Sequence, residues 1–246
     1  MDKEEMKNDR LVTADMLQRL PDPVRRYMNY TGVVGKPWIN TVRLKQVGRF
    51  RTGQDKPWMQ MTAVQCYTTN PPGFLWKARF KMLGLPLVSA RDTYEAGHGR
   101  MFGKLAGVFT IFDERGQEYD QGSMMRYLSE MLWFPIAFLG ENITWQTADD
   151  HSAQVTLTDS GRSLSGCLFF DDAGRPTNFT TMRYYRKGKG DLLLEPWSTP
   201  MTEYAVRAGL NLPIRGQAVW KLASGDLPYW DGEITEVEYN GPIEAF

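Results

Sequence analysis

Residues 74–83, FLWKARFKML, alternate large apolar side chains with basic ones. Because successive side chains of a strand point to opposite faces, this period of two predicts a strand with one apolar and one basic face. The apolar face would carry Phe74, Trp76, Ala78, Phe80 and Met82. A strand that is buried on one side and solvated on the other is typical of an antiparallel sheet.

Similar alternating runs lie on both sides of this strand, and turn sequences such as NPPG and DDAGRP separate them. We predict a mainly β (α+β) fold with about ten or more antiparallel strands. The sheet would span residues 39–119 and 142–240 of a single domain, residues 1–246. Between two runs, GHGRMFGKLAG (97–107) is interpreted as a glycine-rich turn or bulge.

The N-terminal segment, residues 1–35, has a helical pattern in two pieces. Thr13 is placed to cap a first helix, and Asp22 with Pro23 is placed to start a second one. Gly32 is a suitable C-terminal stop, because glycine readily adopts the left-handed conformation that ends many helices.

Residues 120–140, DQGSMMRYLSEMLWFPIAFLG, are the most apolar stretch of the chain and have helical spacing. Arg126 and Glu130 lie within it, so a membrane span is not expected. Pro135 lacks a backbone donor, and we therefore predict a kink near Trp133–Phe134.

A long sheet with one wet face has to curl, and its apolar face needs a cover. The two helical segments are the parts of the sequence that can supply this cover. We therefore predict a curved half-barrel or open barrel, with the N-terminal helices and the kinked central helix covering its concave apolar face. Two interpretations of the central helix stay open: it fills the core, or it forms a lid over a cavity.

A cavity under such a lid would be lined by large apolar side chains of the 74–83 strand and of the central helix. The candidates are Trp76, Phe80, Met82, Trp133, Phe134 and Phe138. Because aromatic residues make up 13% of the chain and include eight tryptophans, some rings are available to line a ligand site rather than fill the core.

Polar side chains occur at inward positions of LVSARDTYEAG, residues 87–97, where Asp92 and Tyr94 share a face with small apolar residues. A buried carboxylate needs partners or its pKa rises, and Arg126 of the central helix is the candidate partner. One interpretation is a structural clasp between helix and sheet. The other is the polar end of a pocket, with Glu130 as a further member, which orients a ligand headgroup or acts as acid or base.

The composition argues against several classes of function. A formal net charge of zero argues against nucleic-acid binding. The cysteines and histidines show no metal-ligand spacing, so neither a metal nor a cofactor is expected, and no catalytic residue is assigned. The N-terminal sequence lacks an apolar signal segment, so we expect a soluble, cytoplasmic protein. RYYRKGKG (183–190) is interpreted as a solvated hairpin end, with contact to a membrane surface as the alternative.

Three segments resemble an uncharacterised bacterial family: LPDPVRRYMNYTGVVGKP (20–37), PPGFLWKARFKMLGLPLVSARDTYEAGHG (71–99) and DQGSMMRYLSEMLWFP (120–135). The shared motifs are a PPGF-W strand, an R-D-x-Y strand and a D-Q-G-x-x-M-R-Y-L helix, and they imply no activity. The expected architecture also resembles lipoprotein carriers of the LolA/LolB type, which are half-barrels covered by helices with an apolar cavity for acyl chains. This second resemblance concerns shape only.

Three hypotheses about function follow from these observations. The first is a protein that binds an apolar or amphipathic, lipid-like ligand in the half-barrel. The second is an enzyme of unknown reaction that uses the polar residues Asp92, Tyr94, Arg126 and Glu130. The third is an interaction module whose core is filled by its own side chains. The sequence makes no prediction about the oligomeric state.

Overall fold

The computed structural model describes residues 10–82, 84–186 and 190–243, and the side chains of Met82 and Pro86 lie outside this description. The described chain contains three α-helices: α1 (Ala14–Gln18), α2 (Asp22–Thr31) and α3 (Gln117–Glu130). Two short 3-10 turns, Met131–Trp133 and Pro135–Leu139, follow α3. No helix among these residues is long and apolar enough to span a membrane.

Strands make up most of the remaining described chain. Those before α3 are β1 (Thr41–Phe50), β2 (Met59–Thr69), β3 (Pro72–Met82), β4 (Leu85–Glu95), β5 (His98–Leu105) and β6 (Phe109–Arg115). Those after it are β7 (Ile143–Asp149), β8 (Ser152–Asp159), β9 (Arg162–Phe170), β10 (Pro176–Arg186), β11 (Leu192–Ser198), β12 (Met201–Arg207), β13 (Leu210–Leu222) and β14 (Gly225–Tyr239).

All of these strands belong to one antiparallel sheet. Its order is β6-β5-β4-β3-β2-β1-β14-β13-β11-β10-β9-β8-β7, and β12 pairs with β13. The predicted mainly β, antiparallel fold is therefore confirmed.

Strand β3 confirms the alternation on which this prediction rests. Phe74 and Trp76 are buried, whereas Lys77 between the inward residues is exposed. Across the sheet, Trp76 stands opposite Gln65 of β2 and Asp92 of β4. One row of the sheet thus brings an indole, an amide and a carboxylate to the same side.

The sheet curls until its two halves face each other, which confirms the predicted half-barrel. Tyr94 of β4 donates a hydrogen bond to Asp159 at the end of β8, with 2.5 Å between the oxygens. Arg186 of β10 forms an ion pair with Glu114 of β6 at 3.2 Å. These contacts join strands that are far apart in the order of the sheet.

Helix α3 lies inside the curled sheet, with β5 on one side and β9 and β10 on the other. Gly99 of β5 allows this close approach, because a Cβ there would lie 2.3 Å from the carbonyl oxygen of Tyr119. The N–H of Gly99 donates to Asp120 of α3 at 2.8 Å, and Arg162 of β9 donates to the same carboxylate at 3.0 Å. The helix is therefore fastened to both halves of the sheet.

The helix ends agree with the sequence in three of four respects. Helix α2 begins at Asp22, with Pro23 in its first turn. Gly32 ends α2 in the left-handed conformation, with φ at 74°. The kink before Pro135 is confirmed, because α3 stops at Glu130 and Phe134 leaves the helical region with φ at −143° and ψ at 63°. Thr13 precedes α1, but its side chain makes no capping hydrogen bond.

The sequence pattern misses two strands, β5 and β11. The glycine-rich segment that we interpreted as a turn or bulge is strand β5. Its glycines serve close packing instead: a Cβ at Gly103 would lie 2.3 Å from the ring of Phe112. Strand β11 reads LLLEPWS, in which consecutive leucines and a proline hide the period of two.

Three glycines stand opposite one another on adjacent strands: Gly48 of β1, Gly232 of β14 and Gly216 of β13. A Cβ at Gly48 would lie 2.3 Å from the carbonyl oxygen of Asp231 and 2.6 Å from the Cα of Gly232. Both are backbone atoms, which cannot turn aside as a side chain can. Glycine at position 48 therefore permits the close approach of β1 and β14 in the middle of the sheet.

Replacing Gly48 by alanine should lower the free energy of unfolding by about 2 kcal/mol or more, because the added methyl group overpacks two strand backbones. Gly53→Ala is the matched control: its Cβ would meet a lysine side chain at 3.4 Å, and the change should stay within about 0.5 kcal/mol. Urea unfolding followed by far-UV circular dichroism measures both. Equal stability of the two variants would contradict a role for the close approach.

Candidate functional site

A cavity of about 700 Å³ lies between α3 and the sheet. One face of α3 lines it mostly with small and polar residues, which are Glu118, Tyr119, Gly122, Ser123, Arg126, Ser129 and Glu130. The opposite face of the helix is buried in the core and carries Met124, Tyr127 and Leu128, and Met131 of the adjoining turn packs beside them. Because residues three and four positions apart share one side of a helix, α3 presents its polar side to the cavity and its apolar side to the core.

A continuous row of aromatic rings forms the sheet side of the cavity. The ring centroids of Trp76 and Phe80 are 6.2 Å apart, and those of Phe80 and Phe50 are 5.3 Å apart. Phe50 meets Tyr229 edge-on at 5.8 Å, and Tyr229 stacks on Trp220 at 6.0 Å. The row extends from β3 across β1 and β14 to β13, so an apolar wall crosses the middle of the sheet.

Arg126 is the centre of a polar cluster at the α3 wall. Its Nη1 donates to Asp92 of β4 at 2.6 Å, and its Nε donates to Glu130, one turn further along α3, at 2.8 Å. Its guanidinium carbon lies 5.0 Å from the ring centroid of Phe74 and 4.9 Å from that of Trp76. The cation is thus held by two carboxylates and two aromatic faces.

Side chains of three strands, β1, β2 and β3, complete the cluster. Glu130 accepts hydrogen bonds from Gln65 at 2.8 Å and from the hydroxyl of Tyr67 at 3.1 Å. Gln46 donates to Gln65 at 3.1 Å and accepts from the indole N–H of Trp76 at 2.9 Å. The chain of hydrogen bonds runs from α3 into β2, β1 and β3, so it fixes the helix relative to the sheet.

Burial and the neighbouring charges together set the protonation of this cluster. Desolvation raises the pKa of the Asp92 carboxyl, although Arg126 opposes the shift. Burial and the neighbouring Glu130 raise the pKa of the Tyr67 hydroxyl, which therefore stays neutral and donates. Burial acts to lower the pKa of Arg126, but Glu130 and Asp92 outweigh it and raise that pKa above its ordinary value. The guanidinium accordingly remains charged.

Asp92 has one oxygen outside the network. Oδ2 accepts from Arg126, whereas Oδ1 is buried and has no hydrogen-bond partner among the described residues. Asp92 also lines the cavity. A buried acceptor without a partner costs free energy, so this oxygen offers an acceptor to a polar group that enters the cavity.

Most of the predicted site residues meet at this cavity. Its lining includes Trp76, Phe80, Trp133, Asp92, Arg126 and Glu130. The side chain of Met82 lies outside the described part of the structure. Three apolar and three polar candidates thus lie on the walls of one cavity.

Three predicted residues lie elsewhere. Phe134 is fully buried in the core and packs on Tyr67 with 4.7 Å between ring centroids. Phe138 packs on Trp145 at 5.3 Å. The kink before Pro135 turns these two rings into the core, which corrects the expectation that they line the cavity. Tyr94 is also absent from the cavity lining, because its hydroxyl reaches across the half-barrel to the end of β8.

Several residues of the site escape the sequence analysis. Gln46 and Gln65 are fully buried. The sequence could have identified both, because each is a polar residue at an inward position of an alternating strand. Arg183 belongs to the basic run interpreted as a solvated hairpin end, yet it lines the cavity. The inward position of Arg183 could also have been predicted from the sequence. Arg183 lies four residues after the buried Phe179 on β10 and therefore shares that face of the strand.

The sequence of residues 10–232 matches DUF6544, a family of unknown function. The chain belongs to DUF6544. This assignment confirms the resemblance to an uncharacterised family. No curated protein matches the sequence of this DUF6544 chain.

Two solved structures share features of shape with the DUF6544 chain. A domain named for outer membrane lipoprotein sorting, from Vibrio parahaemolyticus, is 11% identical, with a TM-score of 0.46 over 83% of this chain and 87% of that chain. A DUF1329 family protein from Desulfovibrio piger is 9% identical, with a TM-score of 0.41 over 84% of this chain and 88% of that chain. Both likenesses concern overall shape, and neither bears on what this DUF6544 protein binds.

The polar cluster should contribute strongly to stability. Replacing Asp92 by alanine leaves the buried guanidinium of Arg126 with one carboxylate, which should lower the free energy of unfolding by about 3 kcal/mol. Asp113→Ala is the matched control, because it removes an exposed carboxylate that pairs with Arg100 at 2.8 Å. Exposed pairs contribute little, so the control should unfold at nearly the wild-type urea concentration. Similar midpoints for both variants would rule out the clasp.

Proposed function

We propose that the protein binds the apolar chain of a lipid-like amphiphile in the cavity between α3 and the sheet. The aromatic row from Trp76 to Trp220 carries this proposal, because its neighbouring rings all line the cavity and form one apolar wall along it. A cavity of about 700 Å³ also falls within the usual range of small-molecule sites.

The polar cluster supports an amphipathic ligand rather than a purely apolar one. Ligand sites commonly combine apolar walls with a few fixed polar groups that orient the bound molecule. Here the Arg126 cluster is rigid, because the guanidinium is held by Asp92, Glu130 and two rings. The free Oδ1 of Asp92 is a fixed acceptor at one end of an apolar wall.

The geometry favours binding over the other two hypotheses. An interaction module with a filled core would not need a cavity of about 700 Å³. The enzyme hypothesis required four polar residues in one place, but Tyr94 is engaged with Asp159 away from the other three. Arg126 and Glu130 are committed to each other at 2.8 Å, which is the arrangement of a structural pair. A cytoplasmic location stays a prediction.

A bulky residue inside the cavity should block the ligand. Ala90 of β4 lines the cavity, and Ala90→Trp would fill the space beside the aromatic row. Loss of about 60 Å² of apolar contact corresponds to about 1.5 kcal/mol, so affinity should fall by roughly tenfold or more. Fluorescence titration with the neutral apolar probe 1-N-phenylnaphthylamine measures the change.

Ala148→Trp is the matched control, because Ala148 is exposed on β7, far along the sheet from the cavity. It should bind the probe as the wild type does. Failure of the wild type to bind this probe, together with native mass spectra of freshly purified protein that show no bound lipid, would refute the proposal.

A further inference from the structure

Arg183 of β10 is a further arginine of the cavity lining, and it lies near enough to the Arg126 cluster to act against the rise in the pKa of Asp92. Its guanidinium carbon lies 4.6 Å from the ring centroid of Trp197 and 5.8 Å from that of Trp220. It also faces α3 at a point where the helix has no side chain, since a Cβ at Gly122 would lie 3.6 Å from Nη2 of Arg183. Two indoles and a glycine thus lie against the guanidinium.

This guanidinium has almost no protein partners. Nη1 donates to the hydroxyl of Tyr229 at 3.5 Å, a long hydrogen bond. Nε is buried without a partner, and no carboxylate of the described residues lies within ion-pair distance. Arg126, by contrast, holds two carboxylates in the same cavity. A buried charged donor that is left unsatisfied is unfavourable, and such groups mark sites that a ligand completes.

The charged residues of the cavity lining also indicate that Arg183 is available to an anionic ligand. Its lining contains five arginines and four carboxylates, a formal surplus of one positive charge in a chain of zero net charge. Asp92 and Glu130 form ion pairs with Arg126, and Glu114 forms one with Arg186. Arg51 has no carboxylate either, but it donates to the carbonyl of Pro228 at 2.6 Å. Arg215 pairs at 3.7 Å with Glu203 and Asp231, which lie outside the lining, and the lining residue Glu118 has no ion pair among the described residues. Arg183 is therefore the lining arginine that neither a paired carboxylate nor a backbone carbonyl neutralises.

The aromatic row begins beside this guanidinium. Trp220, which faces Arg183, stacks on Tyr229, and Tyr229 leads to Phe50 and Phe80. A molecule with its head on Arg183 could therefore lay its tail along the wall. A second donor is available directly after the neighbouring strand β11, where the hydroxyl oxygen of Thr199 is buried, has no hydrogen-bond partner among the described residues and belongs to a lining residue.

From this geometry we propose that the ligand is an anionic amphiphile whose carboxylate or phosphate head binds Arg183. The inference rests on the proposed function, since it names the chemistry of the molecule that fills the cavity. The planar fork of a guanidinium matches the two oxygens of either head, and the indole faces hold the fork in place. A long-chain carboxylate and an alkyl phosphate share this chemistry.

Two fluorescent probes with the same chain separate charge recognition from apolar binding: 11-(dansylamino)undecanoic acid and its methyl ester. Each is titrated into delipidated full-length protein. Arg183→Gln should weaken binding of the acid by about tenfold or more, the effect expected from losing a charge-assisted hydrogen bond. The same variant should change the affinity for the ester by less than about threefold, because the apolar wall is intact.

Arg91→Gln is the matched control, because it removes the same charge from an exposed position on β4. It should leave the affinity for both probes unchanged. Arg183→Lys keeps the charge without the fork and should lose less affinity for the acid than Arg183→Gln. It also carries the test if Arg183→Gln does not fold. Competition by dodecanoate and by dodecyl phosphate then shows which head is preferred.

The outcomes separate the two levels of the argument. If both probes bind the wild type but Arg183→Gln weakens them equally, or weakens neither, the anionic head is wrong and the apolar site stands. The same holds if Arg91→Gln weakens the acid as much as Arg183→Gln does. If neither probe binds the wild type, the proposed function fails and this inference fails with it.

Discussion

The buried guanidinium of Arg126 fixes helix α3 inside the curled sheet, and the division of the interior depends on it. Asp92 of β4 and Glu130 of the helix itself hold the cation at 2.6 and 2.8 Å. Through Glu130 and two buried glutamines the same network reaches β2 and β1. A charged helix face held in this way cannot turn toward the apolar core without leaving charges unpaired.

Because α3 is fixed in this orientation, it divides the inside of the half-barrel into a packed core and a cavity. On one side of α3, Met124, Leu128 and Met131 pack into a filled core with the rings of Phe134 and Phe138. On the other side, small and polar residues of α3 face the aromatic row across a cavity. A helix with apolar groups on every side would have filled both spaces. The polar side of α3 is therefore what keeps the cavity open and places its charged groups beside an apolar wall.

The alternation of β3 and its neighbours was sufficient to predict the curled antiparallel sheet, because one-sided burial leaves a period of two in the sequence. The kink at Pro135 was predictable for a similarly local reason. Strand β5 was not predictable in this way. Gly99 and Gly103 are glycines because α3 and Phe112 pack closely against them, and these contacts are known only from the fold. Local composition alone made that strand look like a turn.

The candidate site shows the same limit. Asp92, Arg126 and Glu130 were identifiable, because charged residues stood at inward positions of a strand and within an apolar helix. The direction of Phe134 and Phe138 was not, because it depends on how the chain turns after Glu130. Arg183 had an inward position as well, but its neighbours in RYYRKGKG are basic, and the composition of the run concealed it.

The central claim is that an apolar chain lies along the aromatic wall, and the indole N–H signals of the eight tryptophans test it directly. Five of them line the cavity: Trp76, Trp133, Trp197, Trp220 and Trp230. Nuclear magnetic resonance during titration with dodecanoate should shift these five signals and leave those of Trp38, Trp58 and Trp145 in place. Unchanged cavity indoles, or equal shifts of all eight, would contradict the account.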